Sequence, residues 1–395
     1  MKIVAMEDFH VDGGWDNFAF LKITTDSGLV GWSEYGERRG RKGLTSLIRA
    51  LSPVVIGQNP LALNHIDAAM QSFVRTANGG LNAHAVGAVA NALLDIKAKA
   101  ANISVAELLG GAVRDRIPAY WSRCGVVRAT QAHYFDGKLI DKPAIRKLED
   151  LVGAGREAKE RGFRAIKCNL LVFDGKGGRV HTPGSARGAG HPELNVEEHL
   201  VDALIEQLTA LREGAGKDMR LICDLNFNYK TDGFKRFAKA VEPFNMMWLE
   251  MDTFDPKGLA HIRQSSSTPI GSLEAILGRK ALRPYLEERS VDIAIIDAMY
   301  NGLPESLRMA SMCDAYEINV ASHAFAGPLA TLMGAHFCAV IPNLKIMELD
   351  VDEVPWRSKL LTNPCKLEDG FIHLPKGPGW GTDVDEAMLL KHKAE

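Results

Sequence analysis

Three absences narrow the possibilities for this 395-residue chain before any motif is read. No run of about 18 apolar residues appears, so no segment is long enough to cross a bilayer as a helix. The N-terminal MKIVAMEDFH reaches acidic residues before any apolar stretch that would serve as a signal-peptide core. The six cysteines (Cys124, Cys168, Cys223, Cys313, Cys338, Cys365) form no Cys-x-x-Cys pair, and several fall inside apolar runs, where cysteine behaves as a small hydrophobe. Long runs of Lys or Arg are also missing, and the formal net charge is -2, which leaves no phosphate-tracking surface. A membrane protein, a disulfide scaffold and a nucleic-acid binder are therefore set aside. The expectation is a soluble, cytoplasmic protein with reduced thiols.

Composition is that of an ordinary globular chain, with 46% hydrophobic and 24% charged residues, and the length suits two domains. Residues 1–115 open with strand-like alternation in FAFLKITTDSGLVGWSEY, where Asp26-Ser27-Gly28 supplies a hairpin turn. Helical period follows between His84 and Gly110, with Val86, Val89, Ala90, Leu93 and Leu94 on one stripe. Strands followed by helices predict an α+β domain.

From residue 116 to about 350 the texture changes to short apolar runs alternating with helical segments, as in a parallel sheet covered on both faces. The runs are RAIKCNL, RLICDLN, MMWLEMD, TPIGSLE, VDIAIID, EINVASH and LKIMELD. Between the first two, Leu200, Leu204, Leu208 and Leu211 mark a helix, with Asn195 and Glu198 placed as a capping box and Gly214 as the stop. Each run ends in a polar residue. The steps from Asp224 to Glu250, Glu274, Asp297, His323 and Glu348 are 26, 24, 23, 26 and 25 residues. So regular a period predicts repeated βα units closed into a (β/α)8-type barrel, whose strand ends converge on one pocket. The longer step from Lys167 to Asp224 leaves room for an insertion, FDGKGGRVHTPGSARGAGHPE, which reads as a loop at the pocket mouth and a candidate lid.

Asp224, Glu250 and Glu274 make an oxygen-only set on three successive strand ends, suited to Mg2+ or Mn2+. Without a cation they would repel one another. Asp297 and His323 follow on adjacent strand ends, where the carboxylate can accept a proton from one imidazole nitrogen and leave the other free as a base. Lys167, buried at a strand end, needs anionic neighbours, which the carboxylates and an anionic substrate would provide. Glu348 is open to two roles, a hydrogen-bond donor when protonated or a partner for a cation.

Taken with NALLDIKAKAANISVAELLGG, the strand ends GFRAIKCN, CDLN, WLE, GSLE, IIDAMYNG and ASHAFAGP resemble the mandelate racemase subgroup of the enolase superfamily, nearly end to end. The resemblance implies an N-terminal α+β capping domain over residues 1–115, a metal-binding catalytic barrel over 116–350, and a segment 351–395 that returns to the cap. It also implies a homo-oligomer. Asp224, Glu250 and Glu274 would bind Mg2+, which holds a substrate carboxylate while an ene-diolate forms. Lys167 would add positive charge, Glu348 would hydrogen-bond the substrate, and His323 oriented by Asp297 would move the proton. Asn169 and Asn226 would line the substrate, and the cap's loops, through Trp15, Tyr35 and Arg38, would read its far end.

Departures from the family pattern sharpen the expectation. Lys167-Cys168-Asn169 stands where many relatives have Lys-x-Lys, and the amide of Asn169 cannot be a base. Asn226 replaces a His found in some sugar-acid dehydratases, Met251-Asp252 replaces the usual Glu-Pro, and Leu273 precedes Glu274 where Gly is frequent. A single base favours elimination of water over racemisation, so the expected function is a Mg2+-dependent dehydratase of a sugar acid, aldonate or aldarate, giving a 2-keto-3-deoxy acid. The alternatives are a racemase, epimerase or cycloisomerase using Lys167 as the second group, or a member that binds ligand without turnover.

Overall fold

A computed structural model describes residues 1–37, 39–175, 177–183 and 194–394. Arg38 and most of the glycine-rich insertion lie outside the described residues. The first three strands, Ile3–Asp12, Asn17–Thr25 and Val30–Tyr35, form an antiparallel sheet, and Gly28, at φ 82°, takes the left-handed position in the predicted turn. The helix Gly80–Ala100 packs against this sheet and is buried around most of its circumference, because it also faces the barrel. It contains the whole apolar stripe but ends ten residues before Gly110, the close of the segment read as helical. A separate short helix, Val105–Leu108, begins at a capping box made by Ser104 and Glu107.

Eight parallel strands close into the expected barrel: Arg116–Ser122, Ala165–Asn169, Arg220–Asp224, Trp248–Glu250, Ile270–Ser272, Ile293–Asp297, Asn319–His323 and Leu344–Asp350. Closure is made by the eighth strand pairing with the first, Glu348 opposite Tyr120. Tyr120, Ala165, Ile222, Trp248, Ile293, Ile295, Ala321 and Ile346 fill the interior, one side chain from each strand except two. Gly271 is fixed by that filling, since a Cβ there would meet Trp248 Cδ1 at 2.4 Å. No helix among the described residues is long and apolar enough to cross a membrane. All six cysteines are free and five are buried.

Both boundaries of a barrel helix also differ from the sequence reading. The helix after the second strand spans Glu198–Ala215, its N-cap is Glu197 without a side-chain cap bond, and it stops at Gly216, φ 84°. Asn195 is therefore not a cap. Gly214 serves packing instead: a Cβ there would strike Val152 O of the helix Asp150–Glu160 at 1.9 Å.

The cap docks on the C-terminal ends of the strands. Glu34 accepts hydrogen bonds from the backbone N–H of Gly327, Leu329 and Ala330, at the start of the helix Pro328–Val340 that follows the seventh strand. Asn91 donates to Ala298 O at 3.0 Å and accepts from Leu303 N at 2.8 Å, bridging the cap helix to the turn after the sixth strand. The C-terminal segment meets both domains. Phe371–His373 pairs with the first barrel strand, while Trp380 donates to Trp32 O at 2.8 Å and Ala394 N to His10 O at 2.9 Å.

Candidate active site

Strand register sets the layout. Asn169, Asp224 and Glu250 lie side by side on the second, third and fourth strands, and Asp297 lies opposite His323 on the sixth and seventh. Residues at the same height on neighbouring parallel strands point into the same space, so these side chains crown the barrel together. Glu274 sits two residues past the fifth strand and reaches in from its loop.

Lys167 Nζ stands between carboxylates, 2.9 Å from Glu348 Oε1, 3.2 Å from Glu250 Oε1 and 3.9 Å from Asp224 Oδ2. Burial would lower its pKa, but Glu250 and then Glu348 outweigh that and hold it well above the ordinary value. Glu348 accepts from Ser122 Oγ at 2.5 Å and Ala324 N at 3.0 Å. Although burial opposes it, Lys167 and His323 hold Glu348 down to about 2. Of the two roles open to it from the sequence, the surroundings fit the partner of cations.

The carboxylates on the other side behave oppositely. Burial raises Asp224 to about 6, against Lys167 and with Glu274 adding repulsion. Burial also pushes Glu250 well above its ordinary value, reinforced by Asp224 and Glu274, although Lys167 and Trp248 Nε1, the latter at 3.0 Å, contact it. Among the described residues no three His, Cys, Asp or Glu side chains gather into a ready-made cation cluster. Glu274 Oε2 is instead 3.2 Å from His323 Nε2. The donor set nevertheless fits a hard divalent ion: oxygen-only, buried, and penalised by its own mutual repulsion.

His323 Nδ1 is 2.5 Å from Asp297 Oδ2, and Asp297 Oδ1 accepts from Met299 N at 2.6 Å and Tyr300 N at 3.0 Å. Two backbone donors thus fix the carboxylate that fixes the imidazole, and Nε2 is left facing the site. On the opposite flank, Asn169 donates to Asp224 O at 3.1 Å, and Asn226 donates to both carboxylate oxygens of Asp224 at 3.0 Å. Both amides are thereby committed to ordering Asp224.

Two family models match most of the chain: the mandelate racemase / muconate lactonizing enzyme N-terminal domain over residues 13–110, and the enolase C-terminal domain-like family over residues 150–388. The chain belongs to the enolase superfamily, mandelate racemase subgroup. Within that superfamily it is 26% identical to the D-xylonate dehydratase of Haloferax volcanii, over 100% of this chain and 89% of that protein. It is 25% identical to the D-galactonate dehydratase of Ralstonia pickettii, over 100% and 95%. Among solved structures, a candidate L-alanine-DL-glutamate epimerase from Burkholderia xenovorans superposes with a TM-score of 0.96 at 38% identity, over 100% of this chain and 99% of that one. The same Burkholderia protein has also been crystallised with magnesium and fumarate.

The superfamily resemblance pointed to the cap for substrate contacts, through Trp15, Tyr35 and Arg38. Tyr35 is buried in the cap core with its hydroxyl 2.9 Å from Thr45 Oγ1, so it does not reach the pocket. Trp15 stacks on Phe135, ring centroids 6.3 Å apart, at the seam with the segment after the first barrel strand. Arg38 falls outside the described residues. Arg41 lies near the site instead: its guanidinium is 4.4 Å from the Tyr300 ring centroid, with Asp297 and Glu274 among the charges acting on it. His84, on the cap helix, packs its ring 4.6 Å from the same tyrosine. Burial lowers the pKa of His84 to about 4, so it is neutral at physiological pH. Tyr300 in turn lies 5.3 Å from His323, ring to ring. One Arg of the two in RGRKG and a lone His on an apolar helix face carry no spacing signal that would have singled them out.

Proposed function

We propose that this enolase-superfamily chain is a Mg2+-dependent dehydratase of a sugar acid, aldonate or aldarate, yielding a 2-keto-3-deoxy acid. The observation that carries the reading is the asymmetry of proton-transfer groups. The His323–Asp297 pair lies on one flank, whereas the other offers Asn169 and a Lys167 whose ammonium is already engaged by Glu250 and Glu348. The dehydratase relatives and the fumarate-bound neighbour support a small carboxylate as the substrate.

Asp224, Glu250 and Glu274 would hold the cation, which when bound acts as a Lewis acid on the substrate carboxylate. Lys167 adds a fixed positive charge beside the carboxylate as negative charge develops on it. His323 Nε2 takes the α-proton, with Asp297 steadying the imidazolium that results. The same nitrogen then returns that proton to the β-hydroxyl, which leaves as water, and the enol formed tautomerises to the 2-keto acid. Arg41 and Tyr300 face the far end of the substrate from the cap side.

Likeness to a candidate epimerase at 38% identity favours one second reading, in which Lys167 serves the opposite face. A panel of acid sugars with Mg2+ separates the two. A dehydratase releases a keto acid trapped as its semicarbazone, and an epimerase in D2O places deuterium at the α-carbon of the inverted product. No keto acid from any member, together with inversion of one, overturns the dehydratase reading.

A further inference from the structure

The two positions at which the fourth and fifth strand ends depart from the family pattern touch one another. Leu273 has φ 96°, in the left-handed region that a leucine rarely adopts. Its N–H points to Asp252 Oδ1 at 3.4 Å, and Ser272 Oγ donates to the same oxygen at 3.0 Å. The Asp252 backbone N–H donates to Asn226 O at 3.0 Å, pinning the residue against the loop that follows Asp224. One carboxylate oxygen therefore holds the strained turn that delivers Glu274.

The other oxygen has no such employment. Asp252 is 3% exposed, and its Oδ2 is buried with no hydrogen-bond partner among the described residues. Its charged neighbours are Glu274 and Asp224, both of its own sign. A buried carboxylate among like charges either takes up a proton or needs a cation facing it. Among the described residues, the ammonium of the cluster, Lys167, is engaged by Asp224, Glu250 and Glu348.

We propose that Asp252 is a fourth carboxylate of the divalent-cation site, its Oδ2 facing the ion held by Asp224, Glu250 and Glu274. The inference rests on the metal reading given above and adds to it. A fourth negative group deepens the potential at the ion, so the site binds its metal more tightly than three carboxylates would.

Asp252→Asn separates the two oxygens, because the amide oxygen can still accept from Ser272 and Leu273 while an NH2 replaces Oδ2. Titration calorimetry of the chelator-stripped full chain with Mg2+ and with Mn2+ should show affinity about 10- to 100-fold weaker than the unsubstituted protein. Thermal melting without metal should show the variant at least as stable, since the amide oxygen keeps the bonds from Ser272 and Leu273. Unchanged metal affinity overturns the proposal, and so does a lower metal-free melting temperature, which would give Oδ2 a structural role. Glu250→Gln is the control. If it too binds metal normally, the metal-site reading itself fails, whereas loss there with none in Asp252→Asn removes only the fourth carboxylate.

Discussion

Replacing Asp297 with Asn tests the catalytic reading at its most constrained point. Asp297 Oδ1 accepts from Met299 N at 2.6 Å and Tyr300 N at 3.0 Å, and Oδ2 meets His323 Nδ1 at 2.5 Å. An asparagine can keep its oxygen toward the two backbone donors, which puts its NH2 against Nδ1. Two donors cannot share that contact, so the imidazole must carry its proton on Nε2, the nitrogen that has to accept one from substrate. Flipping the amide would instead leave two buried N–H groups facing an NH2, at about 1 to 3 kcal/mol each, so the first arrangement holds. Loss of the general base is expected to lower kcat by about 10²- to 10⁴-fold, or roughly 3 to 5 kcal/mol in the barrier. KM and metal affinity should change little, because the metal ligands are untouched. The assay is steady-state keto-acid release from the acid that the panel identifies, with a proton NMR spectrum to follow the downfield Nδ1 resonance. A variant that keeps kcat within about tenfold while losing that resonance would refute the role given to the pair.

Three further substitutions probe separate links. His323→Asn should abolish turnover and leave Mg2+ binding by calorimetry intact, and loss of both would make His323 structural. Arg41→Met removes the guanidinium 4.4 Å from the Tyr300 ring and should raise KM by about tenfold or more while changing kcat less, as expected of uniform binding; equal losses in kcat and kcat/KM would contradict a binding role. Burial raises the pKa of Glu34 to about 7 from an ordinary 4.5, against its three backbone donors and Arg357. Because the folded state holds that proton more tightly, stability falls as pH rises from 4.5 to 7, by on the order of 3 kcal/mol. Glu34→Gln should flatten that part of a melting-temperature profile, and parallel profiles would show that Glu34 does not titrate there.

Much of the site was legible because a barrel repeats one unit. Equal steps between polar strand ends encode convergence, so Asp224, Glu250, Asp297, His323 and Glu348 could be placed in one crown from spacing alone. The first strand, Arg116–Ser122, carries Pro118 and ends in a serine, and it escaped the same pattern. Side-chain direction on the cap was not legible. Tyr35 and Glu34 are neighbours on one strand and point to opposite faces, so that Glu34 reaches the barrel and Tyr35 the cap core. Asp252 was visible only as a departure from the family pattern. Its meaning depends on Leu273, and only the folded backbone brings those two together.

The knitting of the termini has a consequence for how the molecule is made. Asp12 N bonds to His392 O at 2.8 Å and Ala394 N to His10 O at 2.9 Å, so the first strand finds its last neighbours only when the far end of the chain emerges. During synthesis the cap sheet must wait, its edge unpaired, while all eight barrel strands are laid down. Such long-range closure slows folding and leaves an open edge available to other chains. Trimming the segment from Val384 onward should therefore show first as aggregation during expression, before any loss of activity in the fraction that folds.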